Sequence, residues 1–124
     1  MGIRQEKIDE LTQRELNEVI RTVKDHRLDG FLVNITAARV TKDLSVAKVY
    51  FAVLSPKGKD ITAEDAKRVG QGLNNASAYI RGELSKKLNL RVTPKLIFEY
   101  DNSVDNALKI EKTLKQLEAD SKQN

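Results

Sequence analysis

The residues in this chain best suited to chemistry are those that could hold a phosphate. Gly70, Gly72, Asn74, Asn75, Ala76, Ser77 and Ala78 crowd into nine positions whose flanks are apolar at helical spacing. Gly and Asn are weak helix formers, so the pattern predicts two helices with a kink at residues 75–78. Ser77 is the expected N-cap of the second helix. A helix start offers unpaired N–H groups and the positive end of the helix dipole, where phosphates bind readily. Asn74, Asn75, Ser77 and the amides of Ala76 and Ala78 are therefore candidate contacts to a nucleic-acid backbone. The alternative is a bend that serves only packing over a sheet. Arg81, Lys86, Lys87, Arg91 and Lys95 follow within fifteen residues, opposed there only by Glu83. Arg39, Lys42 and Lys48 form a lesser basic set. Each cation placed on a phosphate steepens the salt dependence of binding. Lys86 and Lys87 also suit a helix C-terminus on dipole grounds alone, an explanation that does not extend to Arg81 and Arg91.

Other chemistry is poorly supplied. The chain has no Cys, which excludes disulfides, thiolate metal sites and a cysteine nucleophile. The single His26 lies in the charged run Lys24-Asp25-His26-Arg27, facing solvent or a helix terminus, and one histidine makes no multi-histidine metal site. No carboxylate pair sits in an apolar setting that would tune it for acid–base work. Neither phosphate-loop glycine motif is present. The expectation is a non-enzymatic protein with no cofactor and no bound metal. Aromatic residues make up 5%. Tyr50, beside Lys48, is either a base-stacking platform or a cross-strand packing residue. So few aromatics argue for recognition of RNA shape and backbone rather than base sequence. No apolar run approaches the ~18 residues of a membrane span, and the polar, acidic start has no leader character. The expected setting is a reducing cytoplasm, with no membrane partner.

The formal charge is +4, unevenly spread: residues 24–60 carry +3 and residues 67–100 carry +5, whereas residues 1–23 and 101–124 each carry −1. A basic middle suggests a polyanionic partner.

These residues need a scaffold to position them, and 124 residues supply one domain, expected over residues 1–118 with a frayed tail at 119–124. Ile8, Leu11, Leu16, Val19, Ile20 and Val23 give residues 4–24 a helical apolar side. Residues 31–54 read as a β-hairpin turning at Thr41-Lys42-Asp43, with Ala47, Val49, Phe51 and Val53 facing a core. Thr62 to Asp65 fits a capping box, so a helix starts near Ala63. Residues 90–100 read as a third strand, with Pro94 at its start or on an edge. Asn102-Ser103 precedes a last helix carrying the narrow stripe Ala107, Ile110, Leu114 and Leu117. The order α-β-β-α-kink-α-β-α predicts an α+β protein, a three-stranded sheet with helices packed on one face. That is the arrangement of a KH-like (type II) domain, which holds nucleic acid beside a helix–loop–helix element. A second reading of the same elements is a protein-interaction module that uses this fold and its terminal helix.

Three stretches, in order over some eighty residues, resemble the ribosome-binding factor A family: Lys24-Asp25-His26-Arg27-Leu28; Val40-Thr41-Lys42-Asp43-Leu44-Ser45-Val46-Ala47-Lys48-Val49-Tyr50; and Ala76-Ser77-Ala78-Tyr79-Ile80-Arg81, followed by Leu84, Lys86, Leu90-Arg91, Pro94, Leu96, Phe98 and Tyr100-Asp101-Asn102-Ser103. The resemblance implies a KH-like domain with an Ala-x-Gly kink in place of the usual Gly-x-x-Gly loop. It implies binding to the small (30S) ribosomal subunit and its 16S rRNA late in assembly. Help in maturing the rRNA 5′ region, a role in cold adaptation, and release associated with an assembly GTPase are implied too. The family context is bacterial, and a monomer is expected. Two positions depart from the family pattern. Ala78 stands where the family has Gly, so the bend either avoids a positive φ or is shallower. His26 stands where Pro is common, so the first helix is expected to end less sharply.

Overall fold

The structure, a computed structural model, describes residues 5–89 and 92–102. Helix α1 spans Gln5–Ile20, a 3-10 turn spans His26–Leu28, and strands β1 (Leu32–Val40) and β2 (Val46–Leu54) form the hairpin. Helices α2 (Ala63–Asn75) and α3 (Ser77–Leu88) cross over to strand β3 (Lys95–Tyr100). The expected last helix, with Ala107, Ile110, Leu114 and Leu117, lies outside the described residues, as do Leu90 and Arg91.

The sheet order is β1-β2-β3. A short turn makes β1 and β2 antiparallel. The long α2–α3 connection carries the chain back to start β3 parallel to β2, with Phe51 opposite Tyr100. Alternate residues Ala47, Val49, Phe51 and Val53 are buried under the helices, as the period of two requires. They meet Leu16 and Val19 of α1, Val69 and Leu73 of α2, Ile80 and Leu84 of α3, and Leu96 of β3. The opposite sheet face carries exposed Leu32, Lys48, Leu54, Lys95 and Ile97. All helices of the described residues thus lie on one face, and the α+β, KH-like arrangement holds.

Local chemistry departs from the expected pattern in four places. The first helix ends at Ile20 rather than Lys24. Thr22 closes it by donating both its N–H and its hydroxyl to the Val19 carbonyl, at 2.9 and 2.7 Å. Asp25 then starts a separate 3-10 turn by accepting the Arg27 N–H at 2.9 Å. The second strand begins at Val46, not Leu44, because Leu44 takes φ 62° inside the hairpin turn. There the Asp43 carboxylate accepts from the Thr41 and Ser45 hydroxyls, both at 2.7 Å. The third strand starts at Lys95, after buried Pro94, which has no N–H to give a ladder.

The fourth lies inside β1. Thr36 is an extra residue between Ile35, paired with Phe51, and Ala37, paired with Tyr50. This bulge moves the inward-facing set from half-buried Val33 and buried Ile35 to buried Ala38 and Val40. Helix α1 caps the outward groups it frees. The Ile35 N–H donates to Asn17 at 2.8 Å, and the Ile35 carbonyl accepts from both Asn17 and Gln13 at 3.1 Å. Gln13 also donates to the Thr36 carbonyl, while Asp9 and Gln5 serve the Val40 N–H and carbonyl. An edge strand that would otherwise offer free backbone groups to another chain is closed by side chains of its own protein.

Candidate nucleic-acid interface

The break between α2 and α3 is a single residue. Ala76 sits at φ −92°, ψ 5°, the sparsely populated region between helix and strand. Neither Ala76 nor Ala78 has a positive φ, so alanine at both positions is unstrained. The helix ladder continues on either side, from the Ala76 N–H to the Gly72 carbonyl at 3.0 Å and from the Ile80 N–H to the Ala76 carbonyl at 2.9 Å. Ser77 is not the N-cap: Ala76 holds that place and no side chain caps α3. Without a competing cap, the opening amides of α3, led by Ser77 and Ala78, form the kind of helix start that receives anions.

The 3-10 turn packs directly against the kink. Gly72 makes this possible, because a Cβ there would stand 3.1 Å from the Arg27 Cβ and 3.5 Å from an Asp25 oxygen. Asp25 then spans the two segments. Its carboxylate takes the Arg27 N–H, pairs with the Arg27 guanidinium at 3.0 Å, and accepts from the Asn75 amide at 3.3 Å. The Arg27 N–H holds the Asp25 carboxyl below the usual range against a smaller opposing effect of burial, with Asn75 and the Arg27 and His26 charges adding to it. Thr22 and Tyr79 share a hydroxyl contact of 2.8 Å across the same junction. Between residues 22–25 and Asn75, Ala76 and Tyr79 lies a cleft of about 470 Å³. A larger cleft of about 600 Å³ lies between α2 and the end of β3, lined by Phe51, Ile61, Phe98 and Tyr100 together with Lys67, Gln71 and Asn74. The kink cleft is the one that adjoins the uncapped start of α3.

The expected cations do not gather at the kink. Arg81 donates to the carbonyls of Pro94 and Thr93 at 3.0 and 2.9 Å, fixing the approach to β3. Lys86 pairs with Glu83 at 3.3 Å and Lys87 with Glu15 of α1 at 3.8 Å. Both lie at the far end of α3, whose 12 residues span about 18 Å. On the open sheet face Arg39 stands opposite Lys48. This like-charge pair is relieved by Asp9 at 3.9 Å from Arg39 and Glu99 at 3.2 Å from Lys48. Glu99 raises the Lys48 pKa, and the Lys48 ammonium also lies 5.9 Å from the Tyr50 ring centre. Lys42 is exposed in the hairpin turn. That turn adjoins the start of β3 through the bond from the Lys95 N–H to the Ser45 carbonyl, 2.9 Å. Arg91 lies outside the described residues.

The structure therefore brings Asn75, Ala76, Ser77 and Ala78 together and disperses the cations over the remaining surface. Exposed ion pairs of this kind are weakly held and open to exchange for phosphate. Asp25, Thr22 and Tyr79 join the site without having been singled out for it, and Gly72, expected only as a weak helix former near the kink, is where the Asp25 turn packs. Among the described residues no group of His, Cys, Asp or Glu could hold a metal ion, and no helix is long and apolar enough to cross a membrane.

Comparison with known proteins agrees with this fold. The family model described as Ribosome-binding factor A matches residues 4–114. The ribosome-binding factor A of Dictyoglomus thermophilum is 37% identical over 125 residues, covering 100% of this chain and 98% of its own. The solution structure of a Thermotoga maritima protein described as a ribosome binding factor A superposes with a TM-score of 0.63 at 27% identity, over 82% of this chain and 94% of that one. A homology model of the Thermus thermophilus ribosome binding factor A, as fitted into a cryo-EM map of a 30S complex, gives a TM-score of 0.56 at 25% identity, over 73% of this chain and 88% of its own. With its kinked helix pair, three-stranded sheet and near-complete match to the family model, this chain belongs to the ribosome-binding factor A family.

Proposed function

We propose that this protein binds the immature small (30S) ribosomal subunit and contacts its 16S rRNA through the kink, with Lys42, Lys48, Arg39, Lys86, Lys87 and Arg91 as flanking phosphate contacts. In this reading it assists late maturation, including that of the rRNA 5′ end, as a monomer in a bacterial cytoplasm, and it leaves with the help of an assembly GTPase. Its work is physical rather than chemical. It binds one rRNA arrangement better than another and shifts the population by that difference in affinity. The single observation that carries the reading is family membership over nearly the whole chain, in a family with a member fitted into a 30S complex. The open helix start beside a cleft lined by Lys24, Asp25 and Asn75 supports it.

Co-sedimentation with free 30S subunits and with assembled 70S ribosomes, at low and moderate salt, tests the proposal. Binding to free subunits alone is the expected result. Equal binding to both would reduce the interaction to nonspecific basic attraction. Absence of binding to either would return the protein-interaction reading to the front, for which the exposed Leu32, Leu54 and Ile97 on the open sheet face offer a surface.

A further inference from the structure

The cleft of about 600 Å³ between α2 and the end of β3 is two-sided. Phe98 and Tyr100 of β3, with Ile61 just before α2, pack against the core yet stay partly exposed. Across from them Lys67, Gln71 and Asn74 recur at helical spacing on one side of α2, and all three are exposed. Asn102 lines the same cleft, so the chain leaves the described residues at the cleft itself, with 22 residues, 103–124, still to follow.

Those residues have the pattern and the length to fill it. Ala107, Ile110, Leu114 and Leu117 stand three or four positions apart, the spacing of one helix face. A helix rises about 15 Å from Ala107 to Leu117, close to the rise of about 17 Å from Ala63 to Asn74 along α2. Glu111 and Glu118 border the stripe on one side, whereas Lys109, Lys112 and Lys115 fall on the far side. An apolar stripe with an acidic border is complementary to apolar side chains faced by Lys67. We propose that residues 104–118 dock in this cleft as an amphipathic helix, with the stripe on Ile61, Phe98 and Tyr100 and its acidic border toward Lys67. Only residues 103–106 separate the stripe from Asn102. So short a tether holds the segment at an effective concentration in the millimolar range, which favours it over a second copy or a foreign helix. The proposal does not depend on the rRNA reading.

The test uses the full chain. With no natural cysteine, Gln116→Cys, away from the stripe, gives a single attachment point for a nitroxide spin label. Paramagnetic broadening of amide NMR signals is expected at Lys67, Gln71 and Phe98. Gln13 and Asn17, which seal the opposite edge of the sheet, should keep full intensity. Ile110→Asp with Leu114→Asp in the labelled chain should return the lost intensity, and Lys67→Glu should return part of it at low salt. Broadening that is absent at the cleft, centred elsewhere, or unmoved by Ile110→Asp with Leu114→Asp would overturn the proposal. So would broadening seen only between chains, when spin-labelled protein is mixed with isotope-labelled protein, because the cleft would then hold a second copy. Binding to 30S subunits is read separately: its loss with the broadening intact sinks the rRNA reading and leaves the docked segment standing.

Discussion

Gly72 and Gly82 are two helix glycines with opposite surroundings. Alanine is about 1 kcal/mol better than glycine in a helix interior. At Gly82 nothing lies within 4 Å of an added Cβ, so Gly82→Ala is expected to stabilise the protein by about 0.5–1 kcal/mol. At Gly72 the same methyl meets the Arg27 Cβ at 3.1 Å, in a turn held by Asp25. Gly72→Ala is expected to destabilise by about 1 kcal/mol as the turn is pushed away and to weaken subunit binding through Asn75. Urea unfolding of the two variants, which should move in opposite directions, checks the pair. Asp43 gives a pH signature. Hydrogen bonds from the Ser45 and Thr41 hydroxyls and the Ser45 N–H lower its pKa from 3.8 to about 2. A carboxyl lowered on folding stabilises fully above its unfolded value and loses that contribution as pH falls through the folded value. The Tm advantage of the wild type over Asp43→Asn should therefore be present at pH 6 and shrink between pH 4 and 2. An advantage unchanged at pH 2 would contradict the network.

Among the elements, α1 has two tasks. One side supplies Leu16, Val19 and Ile20 to the core, and this side was legible from apolar spacing. The other task, sealing the β1 edge, was not, because it depends on a bulge at Thr36 that no local pattern in the strand announces. Asn17 makes two of the sealing bonds to Ile35. Asn17→Ala should leave that N–H unpaired, at a cost of about 1–3 kcal/mol in urea unfolding, whereas Arg14→Ala on the exposed side should change little. Helix α3 illustrates a limit of reading charge along a chain. Arg81 was expected at the RNA, yet two of its guanidinium nitrogens bond the Thr93 and Pro94 carbonyls. Reversing Arg81 would loosen the entry to β3 as well as change the surface, so it is a poor probe of binding alone.

Across the whole molecule, the cations expected at the RNA are spread over the open sheet face, the hairpin turn and the end of α3, while Lys24 and Arg27 stand at the kink at the opposite end of that helix. RNA held this way should show a steep salt dependence with many weak contributors. Each phosphate contact adds about 0.7–0.9 to the slope of log K against log salt. Lys86→Gln with Lys87→Gln should flatten that slope by about 1–2 and cost little unfolding stability, since the pairs with Glu83 and Glu15 are surface pairs worth about 0–1 kcal/mol each. An unaltered slope would remove the far end of α3 from the interface. Asp25→Asn, acting at the other end, should leave the slope intact.

The order of the described elements, the buried face of β2, the Thr62 capping box and the place of the kink were all written in local patterns, because helix and strand periods, weak helix formers and caps act within a few residues of one another. The capping box is present with Thr62 and Asp65 serving each other's N–H at 3.0 Å. What tertiary packing settled were relations between distant residues. Gly72 admits the Asp25 turn, Asn17 answers a bulge eighteen positions away, Arg81 is drawn to carbonyls rather than phosphates, and Ala76 rather than Ser77 opens α3. A free amide, carbonyl or guanidinium takes the partner that the fold places within reach, and in this chain those partners lie up to 50 residues away in sequence.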